Sequence, residues 1–216
     1  MPEHWLSERI GLTVTKLDDE QFDLAREALY EAAASIPPEY FGRNPTRVYL
    51  FASIHAYGIA AGGSVWSKES TVYVAFPHDE GRLGKLKLQR WFYSELGTVI
   101  YRRRQHLLPT EAWSSANPPG FEYAGDSVAA VKAGRASTAW SARDLREGFL
   151  GEYSKSELSK DVSHFISELL VNAPVFHDVR QRFPRIGAKA ELAEAFLHRV
   201  HPGFTEAWFE SIEPLP

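Results

Sequence analysis

The chain has 216 residues, with 24 Lys and Arg against 28 Asp and Glu, a formal charge of −4 at neutral pH. With 44% hydrophobic residues it has ample material for a buried core, and its length fits one large domain spanning residues 1–216. It contains no cysteine, which excludes disulfides, thiolate catalysis and thiolate metal sites, and its mild acidity argues against nucleic acid as a partner.

The opening Met1-Pro2-Glu3-His4-Trp5 has no basic start followed by an apolar run, so no signal peptide is expected. No apolar stretch approaches the roughly 18 residues that a membrane helix needs, and the expectation is a cytoplasmic protein without a membrane partner. From Ile10 to Leu17, the alternation around Leu12 and Val14 predicts a short strand. Asp18 and Asp19 then supply an N-cap and first-turn acid for a helix. That helix carries Phe22, Ala25, Leu29 and Ala33 on one face and ends at Pro37-Pro38. Two β-rich runs follow, Val48 to Phe51 and Thr71 to Ala75, and the pair Gly62-Gly63 between them predicts a tight turn into an edge strand.

After Pro77 the pattern becomes helical, first from Leu83 to about Gln105. A loop-rich middle contains Asn117-Pro118-Pro119-Gly120, and helices are then expected at about 156–171, 175–183, 187–200 and 205–212. The fold class is therefore α+β: a small mixed sheet within about 1–80, packed on a long central helix, and a helical part over about 83–212.

The most informative stretch runs from Trp91 to Tyr101, where Glu95 is the only charged residue. At helical spacing Leu88, Phe92, Glu95 and Val99 share one stripe, which should face the core. An ionised carboxylate there is costly unless it is paired or hydrogen-bonded. A carboxyl in a partly dry pocket is also what a general acid or base requires. The plainer alternative is a glutamate that snorkels outward or pairs with an arginine.

Zinc peptidases place His-Glu-x-x-His on a helix, two imidazoles holding the metal while the glutamate activates its water. Around Glu95 those two positions hold Ser94 and Thr98. Further pieces are Gly63-Ser64-Val65-Trp66, Asn117-Pro118-Pro119-Gly120-Phe121, and Gly148-Phe149-Leu150-Gly151-Glu152-Tyr153 ahead of an acidic helix containing Asp161 and Glu168. In that order, over roughly 45–210, the chain resembles bacterial zinc-binding metallopeptidase domains of the zincin type.

The resemblance implies a zincin-like fold with an edge strand above the helix, and a third metal ligand from the later acidic helix, for which Asp161 is best placed. It also implies that the metal is lost, because one carboxylate with a serine and a threonine is too weak a donor set for zinc. The expectation is a degenerate peptidase without metal or other cofactor, which binds a peptide or small molecule in a cleft beside Glu95. Trp66, Tyr73, Tyr93, Ser94, Thr98, Tyr123, Asp161 and His55 are its candidate lining. The alternative is a metal-independent enzyme using Glu95 as acid or base, and a third option holds a metal through displaced ligands such as His55, His164 or Asp161.

Other constellations read as structural. His198 and His201 stand near a helix end, where they answer the last carbonyls and the dipole. Asp161, His164 and Glu168 read as a surface ladder. The basic residues Arg82, Lys85, Lys87, Arg90 and Arg102-Arg103-Arg104 surround the central helix, but no nucleic-acid motif accompanies them. Neither a phosphate loop nor a Gly-x-Ser-x-Gly elbow is present.

Overall fold

A computed structural model describes residue 11 and residues 13–213; Ile10 and Leu12 of the first expected strand lie outside the described residues. The chain is mixed α+β and divides into two compact units, Met1–Val99 and Ile100–Pro216. Among the described residues no helix is long and apolar enough to cross a membrane.

The first unit begins with β1 (Thr13–Thr15) and α1 (Asp19–Ala34). Asp18 closes a capping box with Gln21, each side chain taking the other's backbone N–H. The buried stripe of α1 is Ala25, Ala28 and Ala32, whereas Phe22 is 45% exposed. Small residues rather than large ones were needed here, because a second helix approaches closely: Gln89 donates to the Ala28 carbonyl at 3.2 Å and the Tyr93 hydroxyl to the Ala32 carbonyl at 3.1 Å.

After α2 (Pro38–Arg43) come β2 (Arg47–Phe51), β3 (Ser53–Ala56), β4 (Ile59–Ala61), β5 (Gly63–Trp66) and β6 (Thr71–Ala75). They make two three-stranded sheets instead of one. The first, in order β1-β3-β4, is antiparallel; the second, in order β2-β6-β5, is mixed, with β2 parallel and β5 antiparallel to β6. As the middle strand, β6 is buried along its whole length. Ile54, Tyr73 and Ala75 join the sheets, with Val14, Phe51, Ala61, Trp66 and Trp91 packed on them. The long helix α3 (Arg82–Arg104) follows, and its expected stripe is buried: Leu88, Phe92, Glu95 and Val99 are each 9% exposed or less.

The second unit is helical. The middle read as loop contains α4 (Thr110–Ser115), α5 (Ser127–Lys132) and α6 (Ala142–Glu147), each six residues long. Beyond it lie α7 (Leu158–Val171), α8 (Pro174–Arg182), α9 (Pro184–Val200) and α10 (Glu206–Ser211). Pro174 and Pro184 each stand in the first turn of a helix, where their missing N–H costs nothing, so α9 starts earlier than its apolar periodicity suggests.

Candidate functional site

Trp91 and Glu95 lie one turn apart on the same face of α3, and each meets one residue of the glycine pair. A Cβ on Gly62 would fall 2.3 Å from Cε2 of Trp91, and one on Gly63 would fall 2.8 Å from Cγ of Glu95. The pair is therefore required for space, letting a strand pass directly over an indole and a carboxyl side chain. Glu95 is 9% exposed, and its Oε2 is buried without a hydrogen-bond partner among the described residues. Such an atom lacks the donor that would offset its desolvation.

The strand over Glu95 is β5, one of the two end strands of its sheet. The Ala75 amide donates to the Gly62 carbonyl at 2.9 Å, which makes these opposed residues a hydrogen-bonded pair. Antiparallel alternation then turns the peptide groups of Ser64 and Trp66 toward β6 and those of Gly63 and Val65 away from it. An outward row of backbone groups thus begins at the residue that Glu95 touches.

Ser94 and Thr98 flank the carboxylate as expected, but they are not arranged as ligands. Thr98 is fully buried and its Oγ1 donates to the Ser94 carbonyl at 3.1 Å, one turn back. Among the described residues no three His, Asp or Glu side chains come together so that they could hold a metal ion. One carboxylate and two hydroxyls, one already engaged, do not fit zinc, and no chemistry through a metal follows from them.

The remaining candidates of the first unit separate clearly. Trp66 is half-buried on β5. Tyr73 is buried and stacks on Tyr49 with ring centroids 5.4 Å apart; burial, then Tyr49 and Glu69, raises its phenol above the ordinary value. Tyr93 is a core residue, fully buried, and burial pushes its phenol up to about 12. His55 is exposed on β3, opposite Thr13 on one side and Ala60 on the other. Around α3, Lys85 pairs with Glu31 at 2.6 Å and Lys87 with Glu80 at 2.5 Å, so both lysines already have carboxylate partners.

In the second unit Tyr123 and Asp161 do meet. The Tyr123 hydroxyl donates to Asp161 Oδ2 at 2.7 Å, joined by Trp113 Nε1 at 2.9 Å and Lys189 Nζ at 2.7 Å. Asp161 and Lys189 are both 0% exposed. Lys189 also donates to the Gly148 carbonyl at 2.9 Å and lies 4.1 Å from the centre of the Phe149 ring. Burial holds the Lys189 ammonium below its usual range, with Asp161 opposing. Tyr123 is raised by burial first and by Asp161 second.

The sequence reading missed Trp113 and Lys189. Lys189 could have been found: it shares the apolar stripe of α9 with Ile186, Ala193 and Phe196, as Glu95 does on α3.

The reading of Asp161, His164 and Glu168 as a surface ladder needs correction, since the three are 0%, 9% and 8% exposed. The apolar neighbours on α7 outweigh its polar residues, and almost the whole helix is buried. His164 Nδ1 is hydrogen-bonded to the Ser154 hydroxyl at 2.8 Å, and burial, followed by Lys160, depresses its imidazole to about 3. His198 donates to the Phe204 carbonyl at 3.1 Å and His201 accepts from the Gly203 amide at 3.1 Å, so both tie the turn after α9. No family model, curated protein or solved structure matches the chain.

Proposed function

We propose that this chain is a zincin-like domain that has lost its metal ligands and binds an extended peptide along β5 beside Glu95 without cleaving it. The observation that carries this reading is the juxtaposition of an end strand, its outward peptide groups at Gly63 and Val65, and a buried carboxyl with an oxygen unpartnered among the described residues. Strand addition supplies main-chain hydrogen bonds to any extended segment, and the groups under the strand select its side chains.

Two further features support the zincin-like part. The mixed sheet packs on the central helix with its antiparallel end strand over the glutamate of Ser94-Glu95-Leu96-Gly97-Thr98. In the second unit the segments that carry the resemblance converge: Phe121 packs on Phe149 at 4.6 Å between centroids, and Tyr123, Gly148 and Phe149 surround the Asp161–Lys189 pair. The hydroxyls at Ser94 and Thr98 support loss of the metal, because they cannot replace imidazoles.

The same orphan oxygen supports a second reading, in which Glu95 acts as general acid or base on a bound substrate. One experiment separates the two. Purified protein is titrated with zinc by calorimetry and incubated with labelled hexapeptide pools, with anisotropy and mass analysis as readouts. The binding reading expects peptide association, no stoichiometric zinc and intact peptide. One zinc per chain with peptide cleavage overturns it, and zinc-free turnover abolished by Glu95→Gln replaces it with the acid–base reading.

A further inference from the structure

We infer that the peptide accepted at β5 is selected by a basic side chain, lysine or arginine, whose cation pairs with the Glu95 carboxylate beside the Trp91 indole; the inference rests on the docking reading above. Charge complementarity is the argument. Three exposed carboxylates of the first unit already have cations: Glu31 has Lys85, Glu80 has Lys87, and Glu69 has Arg47 at 3.9 Å. Glu95 has no such partner among the described residues, although it is more deeply buried than any of them. An anion in that position is best satisfied by a cation delivered with whatever covers it, because a neutral amide would hydrogen-bond the carboxylate but leave its charge uncompensated.

Position and shape point the same way. Side chains of an added strand alternate between faces, so only every second residue of the peptide can turn toward α3. Gly63 offers no side chain of its own to fill that space; its Cβ position is taken by Glu95. The Trp91 indole, one turn before Glu95 on the same face, offers an aromatic wall for the aliphatic stem and the cation of a long basic residue. The expected specificity is one basic residue at a single register of an otherwise apolar or β-branched segment.

The test uses acetylated and amidated hexapeptides of alternating threonine and valine, with lysine, arginine, glutamine, norleucine or glutamate at one central position. Their binding to the full chain is read by fluorescence anisotropy. Lysine and arginine peptides should bind at least tenfold more tightly than the glutamine and norleucine peptides, with glutamate weakest. Glu95→Gln should erase the ranking, and Glu95→Asp, which keeps the charge, should retain it. Because the ranking is measured first on the unaltered chain, a misfolded variant does not remove the test. If all five peptides bind alike, or the ranking survives Glu95→Gln, docking stands and the basic selectivity is wrong. If no peptide binds, the docking reading fails and this inference falls with it.

Discussion

Among the described residues three buried carboxylates, Glu95, Asp161 and Glu168, each keep one oxygen without a hydrogen-bond partner, and they differ in whether a cation pairs with the group. Asp161 is paired: Lys189, Tyr123 and Trp113 all donate to Oδ2 in an aromatic surround, and only its Oδ1 is left without a partner among the described residues. Removing one member of a buried pair leaves the other uncompensated, which costs ~3–5 kcal/mol, whereas removing both can be nearly neutral. Urea unfolding should therefore show Lys189→Met losing about that much, and the double change Lys189→Met with Asp161→Asn recovering more than half of it. Equal losses in the single and double variants would show that packing, not charge, dominates.

His164 gives the corresponding pH dependence. Its imidazole is depressed to about 3 in the folded chain from an ordinary 6.5, so between those values the unfolded chain binds the extra proton. Its contribution is fully present above about pH 6.5 and is lost progressively as pH falls toward 3, at ~1.4 kcal/mol for each unit crossed. His164→Gln should flatten the fall in unfolding free energy between pH 6.5 and 4. An unchanged slope would place the acid sensitivity elsewhere.

Among the elements, α3 and the glycine pair decide what the first unit can present. Gly62 and Gly63 read from sequence as a turn signal, yet their use is close approach, each lying against a side chain of α3. Gly62→Ala should force the Trp91 indole aside, lowering stability by ~1–3 kcal/mol with a shift in tryptophan emission. A neutral Gly62→Ala would mean that the indole has another place to go. The sequence discloses α3, α7, α8 and α9 through apolar periodicity, with prolines opening α8 and α9, and α10 through its Thr205 cap. It discloses less of α4, α5 and α6, whose six residues are too few for periodicity and which show only through caps such as Asp126 and Ser141. The stripe containing Glu95 was legible for the same reason that Lys189 should have been: one charge among apolar neighbours at helical spacing. What the sequence could not supply was that Lys189 meets Asp161 while Glu95 meets no cation among the described residues, because such partners follow from tertiary packing.

At the scale of the whole chain, two compact units carry two different uses of buried charge. The second unit gathers the proline–glycine segment, the Gly-Phe segment and α7 around a closed ion pair. The first sets a buried carboxyl with no cation partner among the described residues beneath an end strand. On that difference we propose recognition at β5 and a structural role for the Asp161 cluster. Amide hydrogen exchange along β5, with and without a bound hexapeptide, tests the assignment most directly. Exchange at the outward amides of Gly63 and Val65 should slow markedly when peptide is bound. Unchanged exchange at both amides, with the peptide demonstrably bound, would contradict docking on this strand.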